Sequence, residues 1–278
     1  MSKVVTDEYP GTANLTDQQI KEKFAKEHMA EQAAALPSSN VATEIIRLPS
    51  KGWFYPEGHP LARGEVEMKY MTAVEENILS TQSLIRSGKV FDKLMQSLMV
   101  TKFDFDSLLL MDKSAIFINT RVLAYGENYD VEIVCPNCEH QNKVQVDLTK
   151  FETAESDWSL FTKHQNRYEF KLPKSGKVLG LKFLTYADDL EVEEELKGAK
   201  KLTAFTGIDT ELTTRLRSLI TSVDGNASSE AINLTVNSML GPDSLALRNF
   251  VKRMTPELDT TFGYKCEKCN YEKSDVAL

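Results

Sequence analysis

All four cysteines of this chain fall in two Cys-x-x-Cys pairs, Cys135/Cys138 and Cys266/Cys269, placed far apart in a sequence of 278 residues. Two residues between cysteines let a tight turn aim both thiolates at one point, and four thiolates complete the tetrahedral shell of a structural zinc. Both pairs are framed by strand-like sequence. Residues 129–134 run into Cys135-Pro136-Asn137-Cys138 and 143–148 run out; 261–265 run into Cys266-Glu267-Lys268-Cys269, and 271–276 run out. The expectation is therefore one structural zinc per chain, held by Cys135, Cys138, Cys266 and Cys269, through which the chain closes on itself. The competing reading leaves two short-range thiol pairs, free or oxidised, that the fold never brings together. A redox motif needs its Cys-x-x-Cys at a helix N-terminus beside a βαβ pattern, and the strand-like flanks speak against one. His140, two residues after Cys138, reads as a polar residue of the knuckle. Four cysteines leave no position for water, which points to stabilising the fold rather than to catalysis.

A hydrophobic content of 41% with 27% charged residues is ordinary for a soluble globular chain. The net charge of −8 speaks against a protein that works by neutralising phosphate. No apolar run approaches the ~18 residues of a membrane span, and the first residues carry no signal-peptide arrangement. A soluble intracellular protein is expected, without nucleic-acid or membrane partners.

Along the chain, turn chemistry and hydrophobic period suggest four parts. Residues 1–43 form an N-terminal arm with a helix-compatible stretch from Leu15 to Ala35, either a solvated leader or a helix that docks on a partner. Residues 44–128 form a β/α N-terminal domain. It holds an alternating strand at 65–71 and the aromatic run Trp53-Phe54-Tyr55, read as a local mini-core or a contact patch. A helix capped by Thr72 is expected to end at Ser87-Gly88. Further helices follow at 90–100, with Phe91 a possible inward residue, and at 112–124, stopped by Gly126. Residues 129–150 and 261–278 make the split zinc-ribbon-like module. Between them, 151–260 is an inserted hairpin plus helical domain, with strands at 168–172 and 178–184 and helices at 187–198, 211–223, 229–240 and 242–254. The acidic helix at 187–198 reads as a solvated face. The fold class expected is α+β: a helical subdomain plus a split four-cysteine hairpin pair carrying an inserted hairpin and helical segment.

No catalytic constellation emerges. His28, His59, His140 and His164 lie in unrelated segments, and Lys174-Ser175-Gly176-Lys177 lacks the first half of a phosphate loop. A non-enzyme is expected.

The order of motifs from Leu48 to Cys138 resembles a known family. Leu48-Pro49-Ser50-Lys51-Gly52 is followed by Tyr55 and Pro56, then Gly64-Glu65-Val66-Glu67, then Met71-Thr72-Ala73 with Glu75-Glu76 and Ile78-Leu79. Gly88-Lys89-Val90 with Leu94, Leu108-Leu109-Leu110 with Asp112-Lys113, and Arg121 leading to Ala124-Tyr125-Gly126 and Tyr129 continue the series. This order is similar to that of the baseplate hub protein family of contractile-tailed, T-even-like bacteriophages. The resemblance implies a structural subunit or assembly factor of the tail baseplate hub, with other baseplate and hub proteins as partners. It also implies a place in the host cytoplasm during assembly or in the virion tail, and it supplies no catalytic residues. Homo-oligomerisation stays open. The alternative function is a zinc-ribbon nucleic-acid-binding or transcription-associated module. Against it, Lys143, Lys265 and Lys268 are offset by Asp130, Glu132, Glu139 and Glu267, leaving no basic patch at the knuckles.

Overall fold

A computed structural model describes residues 41–154, 156–207 and 209–278. The expected arm helix between Leu15 and Ala35 lies outside them, as does His28. The segment Thr43–Leu278 forms one unit of mixed helices and small antiparallel sheets.

Strand β1 (Thr43–Arg47) pairs antiparallel with β2 (Glu65–Lys69). The alternation Glu65-Val66-Glu67-Met68-Lys69 sends Val66 and Met68 into the core, where both are fully buried. The connection between the strands folds back so that Leu48 N–H reaches the Gly64 carbonyl at 2.9 Å. Gly52 and Gly64 sit back to back there with positive φ, and a Cβ on either would collide with the backbone of Ala62 or Lys51.

Two pieces of sequence meet beneath this loop. Ser50 donates to Asp112 through both its N–H (2.9 Å) and its hydroxyl (2.7 Å), and Tyr55 Oη donates to the same carboxylate at 2.7 Å. Tyr55 Oη also accepts from Leu109 N–H. Asp112 is wholly buried, and that burial raises its pKa to about 6 although its three donors pull the other way. The aromatic run proves to be core: Phe54 stacks on Trp158 and meets Phe161 edge-on at 5.0 Å. Its ring partners come from the far side of the first cysteine pair, a long-range packing that local pattern does not show.

Helix α1 (Ala73–Ser80) starts with the expected Thr72 cap, completed as a capping box by Glu75. Burial raises the Glu75 pKa, but hydrogen bonds from Lys69 and Thr72 outweigh it and hold the group at about 2. The single helix expected up to Ser87 is two. Thr81 turns extended, its hydroxyl bonds the Asn77 carbonyl at 2.6 Å, and α2 (Gln82–Arg86) begins afresh. Helix α3 (Val90–Leu98) buries Val90, Leu94, Met95 and Leu98, whereas Phe91 points out and is 50% exposed. Helix α4 (Leu110–Tyr125) ends at Gly126, whose φ is positive.

The inserted segment contains β6 (Tyr168–Lys171) and β7 (Val178–Leu181), joined by a turn whose Lys174 and Ser175 N–H groups donate to the buried Asp243. A third strand, β8 (Ile220–Val223), pairs with β7. The helix expected at 211–223 is therefore α6 (Glu211–Leu219) followed by strand. The branched Ile220, Thr221 and Val223 suit the strand and give the hairpin a third member. Helix α5 (Tyr186–Thr206) is not the fully solvated acidic face expected. Asp188 binds Lys182 at 2.7 Å, Asp189 reaches Arg215, and Glu195 pairs with Arg217 at 2.6 Å. Helices α7 (Ser229–Asn237) and α8 (Gly241–Met254) complete the segment. Leu110 N–H bonds Leu184 O, and Tyr186 N–H bonds Leu108 O at 2.7 Å. One hydrophobic core thus runs from Ile46 and Val66 through Ile116 to Leu181 and Met254.

Candidate metal centre

Two more hairpins stand outside that core. Strands β3 (Asn128–Val134) and β4 (Gln141–Asp147) pair antiparallel, as do β10 (Thr261–Lys265) and β11 (Glu272–Ala277), and the short β5 (Glu152–Thr153) and β9 (Leu258–Asp259) pair beside them in sequence. Each of the two hairpins carries one cysteine pair at its tip, and the two tips have the same backbone. Cys135 N–H bonds His140 O at 2.9 Å and Glu139 N–H bonds Cys135 O at 2.9 Å. In the second tip Cys266 N–H bonds Tyr271 O at 2.8 Å and Asn270 N–H bonds Cys266 O at 3.0 Å. The residue after each second cysteine, Glu139 or Asn270, is left-handed with φ of 58° and 59°. That conformation costs a non-glycine residue about 1–3 kcal/mol, so something at the tips must offset it.

The tips face one another. Cys135 Sγ lies 3.7 Å from Cys269 Sγ and Cys138 Sγ lies 3.6 Å from Cys266 Sγ, with all four sulfurs within 4.8 Å of one another. A tetrahedron of thiolates at the zinc–sulfur distance of about 2.3 Å has edges of about 3.8 Å. The four side chains therefore have the spacing a single tetrahedral metal ion requires. Cys135 and Cys266 are buried, Cys138 and Cys269 half-buried. The fold brings the two pairs together, which the reading of isolated thiol pairs did not allow.

Electrostatics of the cluster suit a cation. The Cys266 thiol, raised by burial, is brought down to about 6 by the Cys269 and Lys268 N–H groups and by the neighbouring thiols. The Cys138 thiol, although lowered by the His140 N–H, is pushed up to about 12 by burial and its three neighbours. A first thiolate forms readily here and a full set does not, unless a positive charge sits among them.

Three residues that the sequence reading passed over build the surroundings. Asn142, 1% exposed, donates to His140 O at 3.1 Å and accepts from Glu267 N–H at 3.0 Å, tying the first tip to the second. Asn137 Nδ2 lies 3.5 Å from Cys269 Sγ, as a donor to a thiolate would. Tyr264 is buried beside Cys135 and Cys266, and among the described residues its hydroxyl has no hydrogen-bond partner of good geometry. A deprotonated, metal-bound Cys135 is an acceptor suited to that orphan. A buried asparagine shortly after a knuckle is the one signal the sequence offered.

Among the described residues no histidine joins the cluster. His59 caps a 3₁₀ turn, His164 bonds Tyr55 O, and His140 contributes its backbone. In the Lys174–Lys177 turn the Lys174 and Ser175 N–H groups are spent on Asp243 and the Gly176 N–H on Leu172 O, so these three are not free to cradle a phosphate.

The sequence profile of a family described as T4 bacteriophage base plate protein matches residues 43–278. The chain belongs to this family. No curated protein and no solved structure matches it. The match takes in the Ser50–Tyr55–Asp112 clamp, the shared core and both cysteine tips. Ser50 of the motif Leu48-Pro49-Ser50-Lys51-Gly52 and Asp112, distant in sequence, are thus partners in one buried hydrogen-bond set. Family membership supports a baseplate protein of a T4-like phage that works among other tail proteins. Among the described residues no helix is long and apolar enough to cross a membrane.

Proposed function

We propose that this chain is a structural subunit or assembly factor of the phage tail baseplate hub, its cysteine module locked by one structural zinc. The family match over residues 43–278 carries the reading. The four-sulfur cluster supports the metal, because a closed thiolate set favours zinc and leaves no vacancy for substrate. In this organisation 44–128 and 151–260 share the main core, 129–150 with 261–278 forms the metal module, and 1–43 is an arm for partners. The partners are other baseplate and hub proteins, met in the host cytoplasm during assembly or in the finished tail, and the role is structural rather than catalytic.

The test is an amber mutation in this gene of the phage that encodes it. Lysates should then lack complete baseplates and regain them when the chain is supplied from a plasmid. Normal infectious tails without the chain would refute the reading. Mass spectrometry of purified virions then separates a retained subunit from an assembly factor.

A further inference from the structure

A groove of about 860 Å³ runs between helices α3 and α4 and extends to Tyr129, Leu148 and Leu278 of the cysteine hairpin segments. Its wall carries large side chains that a folded chain would normally hide. Phe91 is 50% exposed and Phe117 is 40% exposed, and they meet edge-to-face at 5.3 Å. Single exposed apolar residues are unremarkable, but a concave apolar patch of this kind marks an interaction surface.

A further observation, charge, says what belongs there. Around the groove Lys113 is neutralised by Asp92 at 2.8 Å, Asp189 by Arg215, and Glu193 by Lys197. Arg121 is the exception. Its guanidinium lies over the rings of Tyr125 (4.9 Å) and Tyr129 (5.4 Å) and bonds Gly126 O, and among the described residues no carboxylate pairs with it. The two rings and the carbonyl hold the fork in place, which lowers the entropic cost of meeting an anion. In a chain of net charge −8, the groove therefore presents one fixed, uncompensated cation beside an apolar slot.

We propose that this groove docks a segment of a partner protein that carries an apolar side chain close to a carboxylate. The apolar group seats against Phe91 and Phe117, and the carboxylate pairs with Arg121. The proposal goes beyond the hub reading, since it needs only the groove.

The test pans a displayed random dodecapeptide library against the purified full chain. Wild type should enrich peptides with an aliphatic or aromatic residue within a turn of Asp or Glu. Arg121→Glu should weaken the selected peptides about tenfold or more and enrich Lys- or Arg-bearing ones instead; Phe91→Ser should weaken both sets. Neither side chain belongs to the buried core, so each variant should keep a cooperative thermal transition and the wild-type metal content. No enrichment, a basic consensus on wild type, or binding indifferent to both substitutions would overturn the proposal. So would a concentration-dependent dimer abolished by Phe91→Ser, which would assign the groove to a second copy of the chain.

Discussion

The molecule contains two cores of different kinds. One runs unbroken from Ile46 to Met254 and draws on helices and strands from both sides of the first cysteine pair. The other centres on buried Cys135, Tyr264 and Cys266, with Ile133, Val144, Tyr271 and Val276 packed around them. Burial of apolar surface at about 25 cal/mol per Å² suffices for the first. The second consists of two two-stranded hairpins, which alone are marginal in water. Their tips also carry left-handed Glu139 and Asn270. Such a module needs a cross-link that burial cannot supply, and the zinc we propose at the four converging sulfurs would provide it.

Chelation should separate the two cores most sharply. Structural zinc sites contribute apparent binding free energies of roughly 10–16 kcal/mol. Stripping the metal from the full chain should therefore abolish amide protection across 129–150 and 261–278 while leaving β2, α4 and β7 protected in hydrogen exchange. Uniform loss of protection would merge the two cores into one cooperative unit and break the comparison.

The converse substitution is Met68→Ala in the main core. Met68 is fully buried, so the change should cost about 2–5 kcal/mol in denaturant unfolding. Metal content per folded chain should stay at the wild-type value.

Within the main core, two buried carboxylates titrate in opposite senses. Asp112 is raised by burial from 3.8 to about 6, so its contribution is fully present below pH 3.8 and is lost as pH rises through 6. Glu75 is held near 2 against an ordinary 4.5, so its contribution is present above pH 4.5 and is lost as pH falls toward 2. Wild type should lead Asp112→Asn by more at pH 4 than at pH 7. It should lead Glu75→Gln by more at pH 5 than at pH 2.5. Stability curves for the two variants that shift in the same direction with pH would contradict these assignments.

The smallest effect is expected at His140, whose backbone rather than its imidazole serves the first tip. His140→Ala should leave zinc stoichiometry unchanged. Loss of metal in this variant would make the imidazole a ligand and displace one of the cysteines.

Much of the cysteine module was legible in sequence because its geometry is local. Two residues between thiols and strand-like flanks define each tip, and the fold needed only to bring the tips together. The shared core was not legible in the same way. Phe54 packs on Trp158 and Phe161, and Tyr186 bonds Leu108, across a sequence separation that hydrophobic period does not bridge. Ile220–Val223 looked like the end of a helix because strand pairing with β7 is decided by a distant partner. The acidic residues of α5 looked solvated because Arg215 and Arg217 reach them from the next helix. Asn142 went unnoticed because its work is to join two tips that are remote in sequence.

The most direct measurement is native mass spectrometry of the full chain purified from metal-replete cells. One zinc per chain is expected, absent from Cys135→Ser and from Cys269→Ser. A metal-free wild-type chain, or zinc retained in full by both variants, would contradict the account.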